Sequence, residues 1–217
     1  MIKNIILFFI FLILPNFSLA CDKEDFLKYV SAEKNRCIAL QTIGEINKNK
    51  KNLIIFLHGD LSSGTKPPGK KGYWKLGNEL LSKNVNFFFL ARPGYTLDSG
   101  RKSYGSYKET RKAKTNYKWE KLELVAKAAQ NLKEYYNADN LIMIGHSGGA
   151  LTSATINSRV PKLIDKSILI SCPCDFEKWR KMRGESVYKM KTSPHKNISG
   201  ISKDSHTIII VGKNDIN

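Results

Sequence analysis

Five short, continuous apolar runs constrain the fold of this 217-residue chain more than any other feature of its sequence. Each run is rich in Ile, Leu, Val or Phe and does not alternate with polar residues. Such runs are typical of parallel strands that are buried on both faces, because a half-exposed strand would alternate. The runs are Leu53–Leu57, Asn86–Ala91, Leu141–Ile144, Ser167–Ser171 and Thr207–Val211, and Ile38–Ile46 is a weaker strand candidate.

Helical patterns separate these runs. Apolar residues within Trp119–Tyr136 recur at spacings of three and four, which predicts one apolar stripe on a helix that Asn116 would cap. Tyr73–Lys83 and Gly148–Arg159 are two shorter helix candidates. Alternating strands and helices predict a doubly wound, mostly parallel α/β sheet, in which ligands bind at the carboxyl ends of the strands.

The first twenty residues have the organisation of a signal peptide. Lys3 precedes an apolar run, and Ser18-Leu19-Ala20 places small residues at the −3 and −1 positions of a cleavage site. The sequence therefore predicts export to the periplasm or medium, a single domain over residues 21–217, and no stable membrane anchor after cleavage. A membrane anchor and a lipoprotein attached through Cys21 are the two alternatives.

Export to an oxidising compartment makes the four cysteines candidates for disulfides. Cys21 and Cys37 are the plausible structural pair, because their bridge would tie down the N-terminal segment. Cys172-Pro173-Cys174 is expected to remain a free, partly buried pair, since a bridge across one residue is tight. No His/Cys cluster has the spacing of metal ligands, so we predict neither a metal nor a cofactor.

The net charge of +17 comes mostly from lysines that are scattered along the chain. A field of this sign favours acidic partners or an anionic surface. However, no nucleic-acid-binding motif accompanies the lysines, so no nucleic-acid partner is predicted.

Leu141–Ala150 is the most informative stretch, because it places a G-x-S-x-G motif between a predicted strand and a predicted helix. The turn from strand to helix is sharp, so side chains at Gly145 and Gly149 would clash. Such a turn exposes the hydroxyl of Ser147 at the top of the sheet, beside a helix N-terminus that favours negative charge. His146 lies inside this turn and is not expected to act as a base.

With this motif in place, the chain resembles the α/β-hydrolase superfamily. Leu57-His58-Gly59-Asp60 follows an earlier strand, where that family has its His-Gly turn. The resemblance implies that Ser147 is the nucleophile and that the backbone N–H groups of Asp60 and Gly148 donate to the oxyanion. It also implies that His58 is structural. A softer similarity to exported members related to prolyl oligopeptidases covers Ala91–Tyr95, where Arg92 or Tyr95 either touches substrate or packs.

The resemblance also implies a position for the catalytic acid. A strand ends in Gly212-Lys213-Asn214-Asp215, so Asp215 would orient a catalytic histidine. There are two alternatives. Asp215 could be an ordinary turn aspartate, or the acid could be Asp175, which follows the preceding strand. Two long polar connections, Asp60–Lys71 and Gly94–Asn116, would lie over the carboxyl edge of the sheet. They would either shape the substrate pocket or be ordinary solvated loops.

The sequence departs from the family at its end, because no histidine follows Asp215. His206 precedes its strand and should lie at the opposite end of the sheet, and His195 would have to fold back to reach Ser147. We therefore expect an α/β-hydrolase fold lacking its last strand and helix, inactive as written. The full-length form would be a serine hydrolase acting on a small-molecule ester or a peptide bond. The alternative is a non-catalytic binding or scaffold protein that keeps the fold.

Overall fold

The computed structural model describes residues 25–60, 70–80 and 84–213. Residues 1–20, Cys21 and Asp215 therefore lie outside the described residues, and so do parts of the predicted loop Asp60–Lys71 and the end of the helix predicted over Tyr73–Lys83. Within the described ranges, no helix combines the length and the apolar character needed to cross a membrane.

A seven-stranded sheet organises the described residues. Its strands are β1 (Tyr29–Glu33), β2 (Arg36–Ile43), β3 (Asn52–Leu57), β4 (Val85–Leu90), β5 (Asn140–His146), β6 (Lys166–Ile170) and β7 (His206–Ile210). They lie side by side in the order β1-β2-β4-β3-β5-β6-β7. The pairs that involve β2 are antiparallel, whereas β4, β3, β5, β6 and β7 run parallel.

The described ranges contain six α-helices: α1 (Lys70–Leu80), α2 (Tyr107–Thr110), α3 (Ala113–Asn116), α4 (Trp119–Tyr135), α5 (Gly148–Arg159) and α6 (Phe176–Met182). A 3₁₀ helix covers Pro194–Gly200. The predicted doubly wound, mostly parallel α/β sheet is thus confirmed. The predicted strands and the two helices Trp119–Tyr136 and Gly148–Arg159 are each found within a few residues of their predicted ends. β1, α6 and the 3₁₀ helix were not predicted.

The central strands β3 and β4 are covered on both faces, as their continuous apolar runs require, whereas every residue of β7 is exposed, contrary to the burial predicted for Thr207–Val211. Along β3, Leu53, Ile55 and Leu57 face a core formed with α4, whereas Ile54 and Phe56 face a second core that includes Leu76 of α1. Alternate residues of one strand therefore enter different cores, which explains why the run has no polar positions.

Two local expectations were wrong. Lys118, and not Asn116, is the cap residue of α4, and Asn116 instead turns its amide toward the carboxyl edge of the sheet. The predicted loop Gly94–Asn116 contains α2 and α3 as well as a bridge between Thr96 and Lys102.

Cys172 and Cys174 form a disulfide, contrary to the expectation of a free pair. Their Cα atoms are 5.1 Å apart, which is within the range that a bridge spans even though only one residue separates the two cysteines. Cys37 is also disulfide-bonded, whereas Cys21, its predicted partner, lies outside the described residues.

Candidate active site

The carboxyl ends of four parallel strands meet at one edge of the sheet. Leu57 is in register with both Leu90 and Gly145, and Gly145 is in register with Leu169. The segments that follow these strands therefore come together. They are 58–60, 91–95, 147–149 and 171–176, which include most of the residues singled out from the sequence.

Ser147 occupies the turn between β5 and α5 in a backbone conformation that side chains rarely adopt. Its φ is 50° and its ψ is −116°, and its N–H donates to the carbonyl of Ile170 at 2.8 Å. Residues with positive φ outside glycine concentrate at functional sites, because surrounding structure has to hold them there. Ser147 is half-buried, and no hydrogen bond from its hydroxyl is found among the described residues.

The two glycines of the motif allow α5 to begin this close to the sheet. A Cβ on Gly145 would lie 2.5 Å from the Gly149 carbonyl oxygen and from the Ala150 Cα. A Cβ on Gly149 would lie 2.6 Å from the carbonyl oxygen of His58. Both distances are far below van der Waals contact, so the tight turn excludes any larger residue at either position.

The turn that follows β3 lies against the start of α5. A Cβ on Gly59 would be 3.2 Å from the Ser147 Cβ, and a Cβ on Gly148 would be 2.7 Å from Oδ1 of Asp60. Gly148 is the first residue of α5, so its N–H has no partner within the helix. The structure thus brings together Ser147, Gly148 and Asp60, three of the four residues identified from the sequence as a site.

Four side chains donate hydrogen bonds to the Asp60 carboxylate. We call these four residues and Asp60 the Asp60 cluster. Oδ1 accepts from Arg92 at 2.5 Å, from Tyr95 at 3.1 Å and from Asn116 at 3.1 Å. Oδ2 accepts from the Tyr117 hydroxyl at 2.5 Å. Charged hydrogen bonds of this kind are stronger than neutral ones and fix both partners.

The charges within the Asp60 cluster balance. Desolvation favours the neutral carboxyl of Asp60, but the charge of Arg92 and the hydrogen bonds from Arg92, Tyr117 and Tyr95 together lower its pKa. Desolvation raises the pKa of Tyr95 to about 12, and desolvation and the Asp60 charge raise the pKa of Tyr117 well above its ordinary value. At neutral pH the cluster therefore consists of one carboxylate, one guanidinium and neutral donors.

Arg92 and Tyr95 are both 2% exposed, so of the two roles left open for them the structure favours packing. Sequence reasoning assigned a role to the Asp60 amide and missed the side-chain cluster. The available signal was an acid after β3 and a cation, Arg92, after β4, because the carboxyl ends of paired parallel strands lie side by side.

A cavity of about 370 Å³ opens beside Ser147. Asp60, Ser147 and Gly148 line its floor, and Tyr117, Phe176 and Trp179 form an aromatic wall. Arg180 also lines the cavity and pairs with Glu185 at 2.8 Å. Pro173 joins the wall to β6, which places the Cys172–Cys174 disulfide at the base of α6.

The four histidines of the sequence all lie in the described part of the chain. His58 is fully buried, and its Nδ1 lies 2.7 Å from the Gly59 carbonyl oxygen while its Nε2 accepts from the Arg92 N–H at 3.2 Å. Burial, with a smaller effect of the Arg92 charge, lowers its pKa to about 3, so the ring is neutral. This is the structural role that the family resemblance implied for it.

The other three histidines do not line the cavity beside Ser147. The ring of His146 is next to Gly59, with its Nδ1 3.0 Å from where a Cβ on that glycine would be. His195 is exposed on the 3₁₀ helix. His206 is in register with Lys166 at the amino end of β6, which is the opposite end of the sheet from Ser147.

Asp175, the alternative acid, is the cap residue of α6. Its Oδ1 accepts from the Lys178 N–H at 3.2 Å, and it lines a second groove with Cys172 and Cys174 rather than the cavity beside Ser147. In the described ranges, no group of three or more His, Cys, Asp or Glu residues is arranged to hold a metal ion.

No protein-family model matches the sequence, and no curated protein matches it. Several solved structures superpose on this chain. An esterase from Pyrococcus furiosus superposes with a TM-score of 0.60 at 19% identity, over 88% of this chain and 74% of that chain. Est1E from Butyrivibrio proteoclasticus, solved with ferulic acid bound, gives 0.55 at 13% identity over 85% and 89%.

Prolyl oligopeptidase B from Galerina marginata gives a TM-score of 0.60 at 15% identity, over 85% of this chain and 28% of that chain. The match to this larger enzyme is confined to about a quarter of its length. On its topology and on these comparisons, the chain has the α/β-hydrolase fold.

Proposed function

We propose that this protein is a serine hydrolase in which Ser147 attacks an ester or peptide carbonyl. The observation that carries the proposal is the conformation of Ser147, whose positive φ places its hydroxyl in a cavity beside the Gly148 amide. Strain of this kind is retained where the surrounding structure over-determines it, and the motif around Ser147 leaves room for nothing but glycine at two positions.

The chemistry is acyl transfer in two halves. The Ser147 oxygen bonds to the carbonyl carbon, its proton passes to a base, and the carbonyl electron pair moves onto oxygen, where the Gly148 and Asp60 N–H groups donate to it. The oxyanion then collapses, the leaving group departs with the proton, and an acyl-enzyme remains. Water repeats the sequence and releases the acid.

The base in this proposal is a histidine that residues 1–217 do not contain, oriented by Asp215. None of the four histidines lines the cavity with Ser147, and the most buried of them is already held by two backbone groups. Without a base, serine loses most of its activation, on the order of a millionfold in rate. We therefore propose that residues 1–217 alone turn over little substrate.

Substrate and location belong to the same proposal. The aromatic wall of Tyr117, Phe176 and Trp179 suits a small-molecule or peptide substrate with an apolar group. The Cys172–Cys174 disulfide supports action in an oxidising compartment, such as the periplasm or the medium. The signal-peptide pattern in residues 1–20 supports the same location.

A fluorophosphonate probe tests the mechanism on the natural full-length protein. The serine oxygen bonds to phosphorus and fluoride leaves, so an activated serine becomes covalently labelled. We expect mass spectrometry to find one adduct on Ser147 and none in Ser147→Ala. An unlabelled Ser147 in the folded full-length protein would remove the enzymatic proposal.

The positions of the four histidines favour a second candidate, a non-catalytic binding or scaffold protein that keeps the fold. The two candidates make different predictions for the DNA downstream of codon 217. An in-frame stop codon there, together with the absence of labelling, supports the second. A continuing reading frame that encodes a histidine supports the first.

A further inference from the structure

The Asp60 carboxylate lies unusually close to the position where the proposed reaction develops negative charge. A Cβ on Gly148 would be 2.7 Å from Asp60 Oδ1, so the carboxylate borders the same residue whose amide would hold the oxyanion. Two negative charges a few ångströms apart repel each other, although the Asp60 side chain is 44% exposed and water screens part of this repulsion. A cation paired with the carboxylate reduces the repulsion further, before the second charge appears.

The buried side chain of Arg92 supplies the positive charge that neutralises the Asp60 carboxylate. The Arg92 side chain is 3% exposed and donates to Asp60 Oδ1 at 2.5 Å, and its Cζ lies 4.8 Å from the ring centre of Tyr95 and 5.9 Å from that of Tyr117. Arg92 follows β4 and does not line the cavity, so its guanidinium approaches the Asp60 carboxylate from the protein interior. Within the described residues Arg92 has no other carboxylate partner, so a buried cation is committed to this one anion.

The backbone of Arg92 makes a separate contact with the turn after β3. Its backbone N–H donates to His58 Nε2, and His58 Nδ1 lies 2.7 Å from the Gly59 carbonyl oxygen. Any substitution of Arg92 except proline keeps this backbone hydrogen bond. A change of the side chain therefore acts on the turn only through the ion pair with Asp60.

We propose that Arg92 is a positioning residue whose side chain neutralises the Asp60 carboxylate and, through that ion pair, anchors Asp60 in the turn after β3, so that the Asp60 and Gly148 amides can stabilise the oxyanion formed at Ser147. This inference rests on the proposed function. It adds that the site tolerates an acid beside the oxyanion because of a buried arginine, with Tyr95, Asn116 and Tyr117 dispersing the remaining charge.

The pH response separates this electrostatic role from a merely structural one. The titratable and charged groups near the Asp60 carboxyl are Arg92, Tyr95, Tyr117, His58 and Tyr188, and Arg111, Arg180 and Glu185 line the cavity. Without Arg92, the carboxyl loses its strongest opposite charge, so its pKa rises and acid can neutralise it. The rate of an Arg92→Gln variant relative to the wild type should therefore increase as the pH falls from about 8 to about 5.

The test uses the natural full-length protein, a p-nitrophenyl ester substrate and three variants. Arg92→Gln should lower kcat on the order of 10- to 100-fold with KM changed less than about threefold, because the charge acts on the transition state. Arg92→Lys keeps the charge and should lose less. Asp60→Asn/Arg92→Gln removes both charges and should recover kcat to within about fivefold of the wild type.

Two results overturn the inference. The first is an Arg92→Gln variant with the kcat and pH profile of the wild type. The second is a folded double variant that has lost more than about tenfold in kcat, which also decides the matter if the single variant does not fold. A wild-type protein with no labelling at Ser147 and no hydrolysis is a separate outcome, since it removes the proposed function itself.

Discussion

Replacing Gly149 by alanine tests whether α5 begins as close to β3 as the structure shows. Gly149 is the second residue of α5, so helix propensity alone favours the change by about 1 kcal/mol. The packing opposes it, because the new Cβ would lie 2.6 Å from the His58 carbonyl oxygen and would also touch the carbonyl oxygen of Leu57. The two effects therefore have opposite signs.

The clash should exceed the propensity. Restoring van der Waals contact requires the start of α5 and the end of β3 to separate by about 1 Å, and overpacking of this kind costs about 2–4 kcal/mol. The expected net loss in unfolding free energy is about 1–3 kcal/mol. With a denaturant slope of about 2 kcal/mol per molar urea, the unfolding midpoint should fall by about 0.5–1.5 M.

Gly184→Ala is the matched control. A Cβ there meets nothing within 4 Å, but φ is +66°, so only the left-handed backbone opposes the substitution. It should cost about 1 kcal/mol and leave the site intact. A Gly149→Ala protein that is as stable as the wild type, or more stable, would refute the close approach of α5 and with it the geometry proposed for Ser147.

Two further predictions concern stability. Because burial lowers the pKa of His58 to about 3, below the value of the unfolded chain, the neutral ring adds stability at neutral pH that is lost as pH falls below about 6.5. Unfolding free energy measured from pH 7 to pH 4 should fall by up to about 1.4 kcal/mol per pH unit more steeply in the wild type than in His58→Gln, and equal slopes would contradict the buried, neutral ring. Reduction of the Cys172–Cys174 bridge, or its replacement by two alanines, should cost about 1–2 kcal/mol, since the closed loop is short. Its main effect should be local, seen as a change in Trp179 emission that Trp179→Phe abolishes, and unchanged emission would mean that the bridge does not order α6.

The centre of the parallel sheet could be predicted because β3 and β4 are buried on both faces. All residues of Leu53–Leu57 are buried, so polar side chains would be unfavourable there. The glycines around Ser147 identify the turn because any side chain at Gly145 or Gly149 would clash with neighbouring backbone. β1 was not predicted because its burial alternates over only five residues, Tyr29–Glu33. That pattern is too short to distinguish from a loop.

The Asp60 cluster could not be predicted because it joins residues that are far apart in the chain. Arg92 and Tyr117 reach Asp60 from sequence separations of 32 and 57 residues. Local propensity carries no information about such contacts, and Asn116 has the chemistry of a helix cap as well as that of a carboxylate donor. Tertiary packing decided between the two roles.

The surface of β7 has a consequence for how the protein behaves in solution. Ile208, Ile209, Ile210 and Val211 are 48–60% exposed, and they point to both faces of the last strand in the described sheet. An uncovered edge strand of this kind can pair with another chain. A segment or molecule that packs over it binds only the folded state and so raises the free energy of unfolding. Thermal midpoints of this chain should accordingly depend on protein concentration and on whatever shields those isoleucines from water.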